Sequence, residues 1–202
     1  IRRSYGYLYL GDYQSGIADL ENVIRLVEDQ DDLQQLHAEA LHVMSSYMMR
    51  LGKNRSALKL IEKAMDIRIR LNGSKDIART LADIGGIYQF SGKYDEAEKN
   101  LNKALEIYSR DFNLIEEANL LNNLGFMFYQ NGNYEKAAFS FEEGMLCAKR
   151  SRHVRLETLL SISIGDLYTR LNDSEIAEQN YRHAENLLEE RDDQFLLFSL
   201  LI

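Results

Sequence analysis

The sequence predicts an all-α chain, a solenoid of about five helical hairpins repeating about every 40 residues. Three observations predict it. Gly11, Gly52, Gly92 and Gly132 each follow a helical apolar pattern, at steps of 41, 40 and 40 residues, and Asn172 takes the next place. The flanking residues repeat as Gly11-Asp12-Tyr13, Gly92-Lys93-Tyr94 and Gly132-Asn133-Tyr134. On both sides of each turn, apolar or small residues recur at i, i+3, i+4 and i+7, which is one face of a helix. Glycine or asparagine is what the left-handed position after a helix requires, so these positions read as hairpin turns.

The first repeat, residues 1–34, is truncated: Ser4 and Tyr7 precede the turn, and Gly16, Leu20 and Val23 follow it. The second, 35–75, carries Leu41, Met44, Ser45 and Met48, then Ala57, Ile61 and Ala64. In the third, 76–114, Leu81, Ile84, Gly85 and Tyr88 are followed by Ala97, Leu101, Ala104, Leu105 and Tyr108. The fourth, 115–154, has Leu121, Leu124, Gly125 and Phe128, then Ala137, Phe141, Gly144 and Met145. The fifth, 155–193, has Ser161, Ile164, Gly165 and Tyr168, then Ala177, Tyr181 and Ala184. Residues 194–202 begin a sixth. Gly85, Gly125, Gly165 and Ser45 fall where the two helices of a hairpin nearly touch, with Ala97, Ala137, Ala177 and Ala57 facing them. A large side chain there would overpack, at about 1–3 kcal/mol. Asp95, Glu96, Glu135 and Glu175 open second helices and Arg68, Arg70, Arg110, Lys149 and Arg150 close them, as the helix dipole favours. Ile1 and Leu201 both fall inside first helices, so the chain reads as a piece of a longer array.

This pattern resembles the tetratricopeptide repeat. The matching residues read Leu121, Leu124, Gly125, Phe128, Gly132, Tyr134, Ala137 and Phe141, with Gly144 in the last place. The resemblance implies a right-handed superhelix with a concave groove lined by the first helices. The step of 40 exceeds the common 34, which implies longer second helices and linkers; the family's usual closing proline is absent.

Composition narrows the function. With 24 Lys+Arg against 32 Asp+Glu the net charge is −8, opposite to a nucleic-acid-binding surface. One cysteine, Cys147, allows no disulfide within the chain, so a reducing, cytoplasmic setting is expected. The longest apolar stretch, Phe195 to Ile202, is far short of the roughly 18 residues of a membrane span. His37, His42, His153 and His183 form no metal-ligand spacing. There is neither a phosphate-cradling glycine loop nor a Gly-x-Ser-x-Gly elbow. No enzyme, metal or cofactor is expected. The acidic runs Glu28–Asp32 and Glu189–Asp193 read as solvated junctions, and the basic cluster from Lys149 to Arg155 as helix-end cations.

The groove is then the candidate working surface. Residues beside the packed face of each first helix point into it. These are Tyr5 and Tyr9 in the first repeat, and His42, Met49 and Arg50 in the second. The third offers Arg79, Asp83 and Gln89, the fourth Asn119, Asn122, Asn123, Phe126 and Tyr129, and the fifth Asp166 and Arg170. Glu39, Ser46, Ala82 and Gly86 belong to the same face. Three asparagines in one helix are poor helix chemistry, but an amide both donates and accepts and so suits a peptide backbone. Asn123 matches an asparagine of the clamp with which some tetratricopeptide proteins grip a terminal carboxylate, but the cationic neighbours are missing. The expected partner is a protein or peptide in the groove, with a small-molecule inducer as the other option. Direct nucleic-acid or membrane contact is not expected, and terminal repeats left open could self-associate. The run Ala118 to Gly125, with Tyr134 to Ala137 and Gly165 to Tyr168, also resembles the sensor arrays of bacterial regulators of the maltose-regulon activator type. In those a nucleotide-binding switch and a DNA reader share the chain with the repeats. A free-standing adaptor, similar to kinesin-light-chain-like or peptide-pheromone-sensing repeat proteins, is the alternative.

Overall fold

The computed structural model describes residues 1–189. Ten α-helices follow one another in pairs: α1 (Arg2–Leu10) and α2 (Tyr13–Val27), α3 (Gln34–Arg50) and α4 (Asn54–Arg70), α5 (Ser74–Phe90) and α6 (Tyr94–Arg110), α7 (Leu114–Gln130) and α8 (Tyr134–Arg150), α9 (Val154–Arg170) and α10 (Ser174–Glu189). A single 3₁₀ turn, Asp31–Leu33, joins α2 to α3. No strand occurs among the described residues. The start of a sixth repeat and the apolar segment Phe195 to Ile202 lie outside them.

From α3 to α9 every helix has 17 residues and every connection three, and these account for the 40-residue step. The two helices of each of these pairs are equal in length, and the connections within and between pairs are equally short.

The turns within hairpins behave as their glycines require. Gly11, Gly52, Gly92, Gly132 and Asn172 have φ of 76°, 70°, 71°, 75° and 61°. The following amide closes the turn on the helix behind: Lys53 N donates to Met48 O (2.8 Å), Lys93 N to Tyr88 O (2.9 Å) and Asn133 N to Phe128 O (2.9 Å). Three of the four turns between hairpins use the same left-handed backbone with a residue other than glycine at that position. Asn72, Phe112 and Arg152, again 40 apart, have φ of 54°, 53° and 54°. Asparagine tolerates this region, whereas a bulky residue is strained there. Phe112 is also 84% exposed, so no packing offsets the strain. Replacing Phe112 with Gly is expected to stabilise the protein by about 1 kcal/mol, read as a higher midpoint in thermal or urea unfolding.

The chain divides into two compact units, residues 1–107 and 108–202. In the first, α1 packs on α2, α2 on α3, α3 on α4 and α4 on α5. Leu20, Ala40, Val43, Met44 and Tyr47 form one core cluster, and Ala57, Ile61, Ile84 and Ile87 another. In the second, α7 packs on α8, α8 on α9 and α9 on α10, and α7 also meets α9 directly. Leu120, Leu124, Met127, Phe141, Leu160 and Leu167 are buried there.

The small residues mark close helix contacts, as the sequence predicts. A Cβ on Gly85 would stand 2.7 Å from Leu101 and 3.3 Å from the Ala97 carbonyl oxygen. On Gly125 it would stand 2.5 Å from the Phe141 ring, and on Gly165 2.5 Å from Tyr181. Ser45 reaches the facing backbone directly, its hydroxyl donating to Ala57 O at 3.0 Å.

Candidate ligand-binding faces

In the first unit, polar side chains join α1, α3, α4 and α5. Glu39 of α3 is the hub. Its carboxylate accepts from the Tyr5 hydroxyl of α1 (2.5 Å), from Arg79 of α5 (2.7 Å) and from Arg68 of α4 (3.0 Å). Arg68 also donates to Thr80 Oγ1 and bonds His42 Nδ1 at 2.7 Å. His42 Nε2 meets Asp83 Oδ2 at 2.8 Å. Asp76 accepts from Gln35 (2.8 Å) and lies 3.5 Å from Arg79.

The electrostatics follow from this crowding. Burial alone would raise the Glu39 carboxyl, but the Tyr5 hydroxyl and the Arg79 guanidinium outweigh it and hold the group below the ordinary carboxylate value. Burial, then the bond to Glu39, pushes the Tyr5 hydroxyl up to about 12. Burial, with Arg79's like charge, lowers the Arg68 guanidinium. Burial also works against Arg79, but Glu39 outweighs it and raises that group.

One residue departs from its predicted place: His42, expected on the open face, is buried among these partners. Arg68 stands in the last turn of α4 as expected, but it is 0% exposed, whereas Arg70, Arg110, Lys149 and Arg150 are exposed. The sequence does hold a signal for Arg68. It continues the buried stripe Ala57, Ile61, Ala64 one turn further, in register with Tyr108, Ala148 and Leu188, all buried. Of the other predicted positions in this unit, Tyr9 is 93% exposed. Arg50 is exposed, and Met49 and Gln89 are half-buried.

In the second unit, α7 and α9 carry the predicted face. Asn123 and Phe126 are exposed, and Asn119, Asn122 and Tyr129 half-buried. The Asn122 side-chain oxygen accepts from Ser163 of α9 at 2.9 Å, so this amide ties the two helices together. Phe126 stacks on Tyr129 with ring centroids 6.5 Å apart, and Tyr129 lies 5.9 Å from Tyr134, which opens α8. Arg170 Nε donates to the Tyr134 hydroxyl at 3.2 Å. That bond and the nearby tyrosines raise the guanidinium's pKa. Asp166 accepts from the Tyr181 hydroxyl at 2.7 Å. Tyr129, Asp166, Thr169, Arg170 and Asn172 line a shallow pocket of about 460 Å³. Tyr134 and Tyr181 belong to second helices, so the periodicity of the first helices does not place them on this face.

Among the described residues no His, Cys, Asp and Glu group could hold a metal ion. No helix among them is long and apolar enough to cross a membrane.

Comparison with known proteins places the fold. The tetratricopeptide repeat family matches residues 36–110 and 76–150. BtubC (BKLC) from P. vanneervenii superimposes with a TM-score of 0.81 at 17% identity, over 94% of this chain and 78% of that one. A signal transduction ATPase with numerous domains (STAND) carrying a tetratricopeptide repeat sensor, from Pyrococcus horikoshii, gives 0.76 at 20% identity, over 97% of this chain and 30% of its own. The Rap conjugation gene regulator of plasmid pLS20, solved with the Phr* peptide, gives 0.73 at 16% identity, over 96% of this chain and 53% of its own. No curated protein sequence matches the chain. The repeat match spans more than half of the sequence, its residues are those that form the hairpin contacts and turns, and the chain belongs to the tetratricopeptide repeat family.

Proposed function

We propose that the chain is a non-catalytic scaffold that binds a protein or an extended peptide on the face of its first helices. The observation that carries this is the α7 face in the second unit. One side of α7 buries Leu124, Met127 and Phe128. The other presents the Asn123 amide and the Phe126 ring, 49% exposed. An amide beside an aromatic row can pair with a peptide backbone and seat an apolar side chain. That a repeat protein of similar fold was solved with a peptide supports the reading. The STAND neighbour with its repeat sensor supports a place as the sensing region of a larger, cytoplasmic, signal-responsive regulator. The alternative is a free-standing adaptor.

The test is a display selection of random linear peptides on the protein, followed by titration of the selected sequences. Asn123→Ala combined with Phe126→Ala is expected to weaken them at least about tenfold, the loss of one hydrogen bond and one aromatic contact, with the melting temperature kept. Unchanged affinity would overturn the assignment. Asn122 is left intact because its bond to Ser163 is structural.

A further inference from the structure

The shallow pocket of the second unit lies beside the proposed binding face. Tyr129 lines it, and the same ring stacks on Phe126 of that face. Two opposite charges of α9, Asp166 and Arg170, line it as well. They stand four residues apart, the spacing at which such side chains ordinarily pair along a helix, but no ion pair joins them. Tyrosines of the second helices engage one each. Tyr181 has a single hydroxyl proton and gives it to Asp166 Oδ1 at 2.7 Å, so the Thr169 hydroxyl, 3.2 Å away, must be the donor to Tyr181. A chain of hydrogen bonds from Thr169 through Tyr181 thus supports the carboxylate.

Arg170 is held by one edge only. Its Nε donates to the Tyr134 hydroxyl at 3.2 Å. Its terminal nitrogens, each a further donor, have no partner among the described residues. The hydroxyl protons of Tyr134 and Tyr129 have none either. Unspent donors, one group of them charged, thus gather at a pocket in which the one lining carboxylate is already engaged through Oδ1.

We infer that this pocket takes the carboxylate of an Asp or Glu side chain of the bound peptide, with Arg170 as its anchor and Tyr134 as the positioning residue that steadies the guanidinium. The inference rests on the peptide-scaffold reading and adds the ligand's charge. A guanidinium braced at Nε keeps its terminal nitrogens for two parallel charge-assisted bonds to a carboxylate, and little side-chain order is lost when the ligand arrives. Asp166 sets the valence of that ligand: its own negative charge, one turn away, repels a dianion more than a single carboxylate. Asp166, Thr169, Arg170 and Asn172 are all exposed, so a side chain enters the pocket without the peptide ending there.

The probes are selected peptides containing Asp or Glu, synthesised as C-terminal amides and each paired with a copy carrying Asn or Gln at that position. Wild-type protein should prefer the acidic copy about tenfold, the worth of a charge-assisted hydrogen bond. Arg170→Gln should bind both copies alike with an unchanged melting curve, because the side chain is exposed. Tyr134→Phe should shrink the preference and leave the affinity of the neutral copy as it was, which a merely structural loss would not do. Asp166→Asn, which can still accept from Tyr181, should widen the preference. A copy carrying phosphoserine should bind no more tightly than the acidic one. Selected peptides without acidic residues, no preference in the wild type, a preference that survives Arg170→Gln or that needs a free C-terminal carboxylate, or tighter binding of the phosphoserine copy would each overturn this inference and leave the scaffold reading standing. If no peptide is selected at all, both fall.

Discussion

Replacing Arg68 with Ala is expected to destabilise the protein by about 3 kcal/mol. Three effects combine. His42 Nδ1 and Thr80 Oγ1 lose the donor they share, and a buried polar group left without its partner costs about 1–3 kcal/mol. Glu39 loses one of two guanidinium partners but keeps Arg79 and Tyr5, so its charge is not orphaned and the upper range for broken buried ion pairs is not reached. A side chain with no solvent exposure also leaves a cavity. Arg68→Lys should fall between, because an ammonium is a point donor and cannot bridge three acceptors as a planar fork does. Arg70→Ala serves as the control. That side chain is exposed at the end of the same helix, and its loss should stay within about 0.5 kcal/mol. Equilibrium urea unfolding measures all three. An Arg68→Ala midpoint equal to that of Arg70→Ala would mean the network contributes nothing net.

Arg68 also marks where the sequence stops being legible. The hairpins, their step and the left-handed turns follow from local chemistry. A glycine after an apolar stripe, repeated at Gly52, Gly92 and Gly132, marks a helix end that needs positive φ, and Gly125 between Leu124 and Phe128 on a buried stripe announces a close contact. Polar networks are another matter. Periodicity along α4 puts Arg68 on the buried stripe, but the acceptors that satisfy it come from α3 and α5, up to 29 residues away along the chain, and the pattern of one helix does not name them. The same holds for His42: its register beside the packed face is readable, but its burial follows from Arg68 and Asp83 closing over it. The α7 face is easier to read, because Asn123 and Phe126 stand on it without partners from other helices to redirect them. The turns between hairpins are silent for a different reason. Asn72, Phe112 and Arg152 share a backbone conformation but not a residue type, so the step of 40 is present there without a chemical signature.

Gly125→Leu is expected to lower stability by about 3 kcal/mol or more, the upper end of overpacking. The first atom added already has nowhere to go. A Cβ would lie 2.5 Å from two carbons of the Phe141 ring, and that ring is buried, so it cannot swing into water. Either the ring leaves its rotamer or α7 and α8 move apart, and separation would open contacts along both 17-residue helices. Gly125→Ala, adding the Cβ alone, should cost about 2 kcal/mol for the same reason. Phe141→Ala makes room, so the double variant Gly125→Ala/Phe141→Ala should be more stable than the two single losses predict, the mark of residues in contact. Gly86→Ala supplies the opposite case. It is the same substitution in a helix interior, but into open space, and should raise stability by about 1 kcal/mol through helix propensity alone. Opposite signs at Gly125 and Gly86 would tie the effect to helix contact and not to glycine as such. A melting curve unchanged by Gly125→Leu would mean that α7 and α8 do not pack through this position, and the hairpin geometry on which the binding face depends would have to be redrawn.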